Sequence, residues 1–147
     1  MSSRNRDVLQ DAIRVLSSEE NDSEGEERMR QAIHNTLNSP KTKLLLALTE
    51  ENEIVGAASF RKNPARPFVQ ILHIGVKLPN KGIGKALLTE ISNIASQGNY
   101  GLRLEPTISS APFYVHLGFR QAPGGKFLTL SALKTKTLGT ELGKTMD

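Results

Sequence analysis

The sequence predicts a mixed α/β domain, a mostly antiparallel sheet with flanking helices. Hydrophobic spacing is helix-like before Pro40 and strand-like after it. The longest clean helix, Gly82 to Gln97, stands alone between strands, and the elements run helix, helix, strand, strand, strand, helix, strand, helix, strand, strand. A single crossover of this kind is right-handed and sets the strand after it parallel to the strand before it.

Each element has its own local cause. Asp7 to Leu16 places Leu9, Ala12, Ile13 and Leu16 at i, i+3, i+4 and i+7, an amphipathic helix. An acidic, serine-rich connection over 17–25 has no apolar period. Glu26 and Glu27 favour the positive end of a second helix. Its stripe is Met29, Ile33, Thr36 and Leu37, and Asn38-Ser39-Pro40 stops it. Lys43 to Thr49 and Ile54 to Arg61 are apolar runs around Glu50-Glu51-Asn52-Glu53, a hairpin. Phe68 to Val76 is a third strand, rich in branched residues.

Gly82 to Gln97 carries Ile83, Leu87, Leu88, Ile91, Ile94 and Ala95 on one broad face, and Gly98-Asn99 ends it. Tyr100 to Glu105 is a short strand closed by Pro106. Ser109 to Leu117 is a short helix with Ser109 as its cap, followed by Gly118. Phe119 to Ala122 and Lys126 to Leu133 flank Pro123-Gly124-Gly125 as a final hairpin. Periodicity is weak after Lys134, so 135–147 is expected to be a mobile tail. With 147 residues and no internal repeat, the chain reads as a single domain over 1–147.

Composition removes several chemistries. There are no cysteines, which excludes disulfides, thiolate metal sites and cysteine nucleophiles. His34, His73 and His116 show no HxxxH or HExxH spacing, so no metal is expected. A spanning helix needs about 20 apolar residues and no run approaches that, so no membrane partner is expected. MSSRNRDVLQ lacks the apolar centre of a secretory signal, and a cytoplasmic location is the expectation. The net charge of +4 conceals an asymmetry. Residues 19–27 hold six acids and no base, leaving 19 basic against 9 acidic side chains in the other 138 residues, or +10. A basic body attracts polyanions: nucleic acid, an anionic surface or a multiply phosphorylated small molecule. A solubilising surface is the plainer reading.

Two segments carry chemistry. The first is KLPNKGIGKALL, 77–88, between the third strand and the long helix. Gly82 and Gly84 let the backbone approach a ligand where a helix presents unpaired N–H groups, and Lys81 and Lys85 add charge. That arrangement suits a pyrophosphate, although a simple strand-to-helix turn would look similar. It is neither a Walker loop nor a GxGxxG fingerprint, since Leu87 stands where the third glycine belongs. The second segment is SAPFYVHLGF, 110–119. Phe113 and Phe119 read as core residues, while Tyr114 reads as a helical phenol at a rim or cleft, able to donate a proton to a leaving thiolate.

KGIGKALL followed by FYxxLGF resembles the GNAT superfamily of acyl-CoA-dependent N-acetyltransferases, and the element order over 26–133 is similar to that family's. The resemblance implies a V-shaped opening between strands Phe68–Val76 and Tyr100–Glu105, in which the pantetheine of acetyl-CoA adds to the edge near Ile74 and Val76. It implies a pyrophosphate seat over Asn80, Lys81, Gly82, Ile83, Gly84 and Lys85. A pantetheine-facing turn near Thr107 to Ser110, with Phe113 beside it, completes the cofactor contacts. Tyr114 matches the family's usual general acid, protonating the CoA thiolate as the tetrahedral intermediate collapses. The sequence departs from the pattern at Pro79, where the family's phosphate loop usually has Gln or Arg, and at Thr107, where many members carry asparagine. The family's first strand has no counterpart, because 7–16 reads as helix.

The acceptor amine needs a base. The strand before the phosphate loop holds no Asp or Glu, and its polar members are Gln70 and His73. His73 can relay a proton at neutral pH, or be a half-buried strand histidine. Glu105 is the second candidate, or a surface partner in the neighbourhood of Arg103. His116 and His34 read as helix-surface residues. Direct attack in a ternary complex is expected, with no covalent enzyme intermediate. Three readings follow: an N-acetyltransferase acting on a primary amine; a CoA-binding or interaction module without turnover; and a basic nucleic-acid-associated protein, including one that acetylates aminoacyl-RNA. Without an aromatic-basic stripe, nucleic-acid binding is the weakest. The chain is expected to be a monomer or homodimer. The acidic stretch 19–27 would draw a cationic acceptor if it borders the site.

Overall fold

In a computed structural model the described residues are 24–63, 67–77, 82–106, 110–122 and 124–145. The helix expected over 7–16 lies outside them. Helix α1 is Glu24–Asn38, and strands β1 (Lys43–Leu48), β2 (Ile54–Lys62) and β3 (Phe68–Val76) follow. Helix α2 (Ile83–Gln97) leads to β4 (Gly101–Leu104), α3 (Ala111–His116), β5 (Arg120–Gln121), β6 (Leu128–Leu130) and α4 (Ala132–Thr145). The six strands form one sheet in the order β1-β2-β3-β4-β6-β5. As the crossover predicts, β3 and β4 are parallel, in register from Phe68↔Gly101 to Ile71↔Leu104. The pairs β1–β2, β4–β6 and β5–β6 are antiparallel.

The chain divides into two compact units. The first comprises Met1–Arg61 and Leu72–Leu87, and the second comprises Lys62–Ile71 and Leu88–Asp147. In the first, α1 covers the β1–β2 hairpin. Met29, Ala32 and Ile33 are fully buried with Ala57, and Leu37, Leu44, Leu46 and Ile54 pack around them. Burying a side chain the size of Met or Ile contributes about 1.5–3 kcal/mol each. Thr36 belongs to the same stripe because its hydroxyl donates to the Ala32 carbonyl at 3.1 Å. The hairpin turn closes where expected: Asn52 takes a φ of 66° and its N–H donates to the Thr49 carbonyl at 2.9 Å. On β2, Gly56 admits α2. A Cβ there would lie 2.7 Å from Ile83 Cγ2 and 3.2 Å from Leu87 Cδ1.

In the second unit β4 is central, with Leu102 and Leu104 buried beside Val69, Ile71, Leu128 and Leu130. Helix α2 ends by two separate devices. Asn99, with φ 59°, supplies the left-handed residue. Gly98 instead leaves room for Tyr100, whose ring carbon would be 2.6 Å from an added Cβ.

Two expectations are corrected. Phe113 is not a core residue: it is 40% exposed, while Tyr114 beside it is 6% exposed. One residue turns a helix by about 100°, so a six-residue helix that buries Tyr114 turns Phe113 outward. The cap of α3 is Ser110, not Ser109, and its side chain makes no capping bond. The segment after Lys134, which shows no clear periodicity, is helical as part of α4. Ser131 Oγ accepts from the Lys134 N–H at 3.3 Å at its start, and Thr135 and Leu138 are its buried positions. The final hairpin forms as expected, with shorter strands.

Candidate functional site

The first unit brings together the end of β3, the start of α2 and the first turn of α1. Burial alternates along β3 through Ile71 and then stops alternating, Leu72, His73 and Ile74 all being half-buried. The hydrogen bonds to β2 also change register along this stretch. Asn63 N–H donates to the Phe68 carbonyl at 2.9 Å, and Lys77 N–H donates to the Val55 carbonyl at 2.8 Å. Between these bonds β2 advances from 55 to 63 and β3 from 68 to 77, so β3 carries one residue more than its partner, as in a β-bulge. The ladder to β4 ends at Ile71, so His73, Ile74 and Val76 lie beyond its last register pair.

At the strand-to-helix junction, Gly82 has a φ of 77°, a conformation that favours glycine, and among the described residues a Cβ there would meet nothing within 4 Å. Its carbonyl accepts the first helical bond, from the Ala86 N–H at 3.0 Å. The N–H groups of Ile83, Gly84 and Lys85 precede that bond and belong to the set a helix cannot satisfy internally. Gly84 lies against the strand end, a Cβ there being 3.9 Å from Val76 Cγ1. Lys85 is exposed on the first turn. These residues fit a pyrophosphate: an open glycine turn, helix-start donors and a cation. Asn80, Lys81 and Pro79 lie outside the described residues.

His73 is half-buried, and its pKa is held below 6.5 first by burial and then by the charge of Arg28. The imidazole is therefore neutral at neutral pH and free to accept a proton. Arg28 reaches this region because α1 lies directly on β3 with no side chain between them. A Cβ on Gly75 would run into the Gly25 carbonyl oxygen and would lie 2.8 Å from Met29 N and 2.9 Å from Arg28 Cβ. A Cβ on Gly25 would run into the Val76 carbonyl oxygen. Sequence reasoning gave Arg28 no role, and no local spacing links position 28 to position 73. The only signal was the pair of glycines, Gly25 and Gly75, whose meeting is tertiary.

In the second unit, Tyr114 is held between two aromatic rings. Phe113 lies edge-on at 5.2 Å between centroids, and Phe119 at 5.4 Å. The chain reverses tightly here, Phe119 N–H donating to the Tyr114 carbonyl at 3.1 Å. Ser110 begins the helix, its carbonyl accepting from Phe113 N–H at 3.1 Å. Thr107 lies outside the described residues. Glu105 is exposed and forms an ion pair with exposed Lys126 at 3.8 Å, while Arg103 stacks on Phe127 at 3.9 Å. Glu105 thus has the surroundings of a surface carboxylate, and His73 those of a half-buried imidazole beside a positive charge. His34 and His116 are exposed. Among the described residues no group of three or more His, Cys, Asp and Glu is placed to hold a metal ion, and no helix is long and apolar enough to cross a membrane.

A family model described as an acetyltransferase (GNAT) domain matches residues 11–128. No curated protein sequence gives a significant match. Among solved structures the chain is similar to Tetrahymena GCN5, with a TM-score of 0.65 and 14% identity over 89% of this chain and 90% of that one. It is also similar to a provisionally named acetyltransferase from Exiguobacterium sp. 255-15, with a TM-score of 0.57 and 28% identity over 74% and 75%. A third, a provisionally named streptothricin acetyltransferase from Bacillus anthracis str. Ames, was solved in complex with acetyl coenzyme A. Its TM-score is 0.55, with 25% identity over 65% of each chain.

Proposed function

The chain belongs to the GNAT acetyltransferase family, and on that premise we propose that it transfers the acetyl group of acetyl-CoA to a primary amine by direct attack in a ternary complex. The observation that carries the reading is the junction of β3 and α2. There Gly82, in a left-handed turn with no described residue within 4 Å of where its side chain would begin, precedes the helix-start donors of Ile83 to Lys85. Asn80 and Lys81 would complete the pyrophosphate seat, and the backbone at Ile74 and Val76 would take the pantetheine. Ser110, Phe113 and Thr107 are further proposed cofactor contacts.

Bound acetyl-CoA supplies the electrophile, its thioester C–S bond breaking as the acceptor nitrogen forms the amide. His73 takes the proton that the amine loses, and its lowered pKa supports that role because the imidazole is unprotonated at neutral pH. Tyr114 gives its phenolic proton to the departing sulfur and regains one from solvent. Glu105 remains a second candidate base, weaker for its exposed pairing with Lys126. Thiol release over an amine panel tests the reading. Calorimetric titration showing no acetyl-CoA binding at millimolar concentration would end it. A CoA-binding module without turnover is the second reading, favoured by the absence of any carboxylate on β3; binding without thiol release for any amine would select it.

A further inference from the structure

We propose that Arg103 and Arg120, on either side of Thr129, form a site for a phosphate dianion of the kind a phosphomonoester carries. The acetyl-transfer reading assigns no role to these three residues.

The sheet of the second unit brings them together. Arg103 on β4 and Arg120 on β5 are both in register with Thr129 on β6, and Gln70 on β3 is in register with Arg103. Residues paired across neighbouring strands point to the same side of a sheet. One face therefore carries the polar row Gln70–Arg103–Thr129–Arg120, while Leu102, Leu104, Leu128 and Leu130 are buried on the other. Two strand spacings of about 4.8 Å set the arginine Cα atoms about 10 Å apart, with the threonine between them. An oxyanion over Thr129 is within the combined reach of two arginine side chains.

Arg103 is fixed in place without an anion. Its guanidinium lies over the Phe127 ring at 3.9 Å, and its Nε is buried with no hydrogen-bond partner among the described residues. Stacking occupies the flat face of a guanidinium and leaves its N–H edge available to an acceptor. Nε is the only one of its nitrogens buried in this way, and no hydrogen bond or ion pair joins the group to a described residue, so its outer edge meets solvent. Glu105, the carboxylate nearest in sequence, pairs with Lys126 at 3.8 Å instead. A buried N–H without an acceptor is costly, so the chain gives up stability to hold this cation here. Arg120 is exposed, and its side chain likewise makes no hydrogen bond or ion pair among the described residues.

The surrounding charge has the matching sign. The residues of the first unit include eleven basic and eleven acidic side chains, and those of the second include eight and four. The whole net charge of +4 thus belongs to the unit that holds the row, and such a field draws anions toward it. Two guanidinia favour a dianion over a monoanion, and arginine–phosphate hydrogen bonds are of the strong, charge-assisted kind. Phosphate therefore suits the row better than a single carboxylate does.

Calorimetric titration of the full chain with inorganic phosphate tests the site, at about pH 8, where phosphate is a dianion. Acetyl-CoA is kept in excess to fill any seat for its own phosphates, and sodium chloride holds the ionic strength constant. Phosphate should bind saturably, and acetate about tenfold more weakly or worse. Arg103→Gln and Arg120→Gln should each weaken phosphate by about tenfold. Arg103→Lys, which keeps the charge and loses the planar fork, should fall between Arg103→Gln and the parent. Lys41→Gln makes the same charge change at an exposed lysine of the first unit and should leave phosphate binding unaltered. Absence of saturable binding by the parent overturns the proposal, as does acetate binding as well as phosphate. So does an equal loss in Lys41→Gln, which would mark a general effect of net charge, or no loss in either arginine variant. The parent's preference for phosphate over acetate decides the matter even if an arginine variant fails to fold. Failure here leaves the acetyl-transfer reading untouched.

Discussion

Arg28 Cβ lies 2.9 Å from the point where a side chain on Gly75 would begin, closer than real Cβ contacts come. The other atoms around that point are the Gly25 carbonyl oxygen and Met29 N, both backbone, so neither can swing aside. Gly75→Ala should therefore lift α1 from β3 and destabilise the protein by about 1–3 kcal/mol, the range for overpacking a tight interior. Gly84→Ala, whose Cβ would make an ordinary 3.9 Å contact with Val76, should change stability little or raise it slightly. Urea unfolding of both variants tests the contrast; equal midpoints for the two would contradict it.

Gly82→Ala separates backbone conformation from space. Among the described residues nothing lies within 4 Å of the new methyl, but φ is 77°. A left-handed alanine costs about 1–2 kcal/mol, and relief by shifting the turn would displace the N–H groups ahead of Ala86. Titration should show weakened acetyl-CoA binding beyond any loss of stability. Unchanged affinity would remove the turn from the pyrophosphate seat.

Tyr114→Phe keeps the edge-on packing with Phe113 and Phe119 and removes only the hydroxyl. Turnover should fall by about 10²–10⁴, the usual worth of general acid–base catalysis, with acetyl-CoA affinity unchanged. A parent-like rate of thiol release would strip Tyr114 of its role.

His73 sets a pH signature. Its folded pKa lies below the ordinary 6.5, so the acid limb of kcat/KM should fall below pH 6.5 and disappear or shift in His73→Gln. The stability effect has a definite sign. Above pH 6.5 both folded and unfolded chains hold this imidazole neutral. As pH falls below 6.5 the unfolded chain binds the proton first, so stability is lost until the folded pKa is passed. The parent should therefore lose stability relative to His73→Gln in acid. A constant difference in melting temperature across that window would refute the assignment.

Ser59 offers a test outside the site. It is fully buried on β2, and its hydroxyl has no hydrogen-bond partner among the described residues. A buried hydroxyl without a partner costs about 1–3 kcal/mol, so Ser59→Ala should raise stability by about 1 kcal/mol once the lost volume is counted. Thermal melting that shows a clear decrease would mean the hydroxyl is satisfied in solution.

Much of the fold was legible because its signals are local. The Met29–Ile33–Thr36–Leu37 stripe, the Glu50–Glu53 turn and the broad face of α2 each follow from spacing over a few residues. Helix α4 was not legible. Its burial rests on Thr135 and Leu138, its start on the Ser131 cap, and Gly139 breaks its pattern. Phe113 and Tyr114 were misassigned relative to each other for a related reason. On a helix of six residues the sequence says that an aromatic is buried, and only the angle at which the helix meets the sheet says which one.

The same division holds for the site. The glycine turn with its lysines and the FYxxLGF segment are each short runs of sequence, so the chain announces them without folding; they suffice to point to the GNAT family and to nominate Tyr114. What tertiary structure alone decided is the surroundings of His73, the proposed base. His73 becomes a neutral imidazole beside a guanidinium because Gly25 and Gly75, fifty residues apart, allow two backbones to touch. Desolvation and charge act through space, and no spacing along the chain encodes the distance between residues 28 and 73.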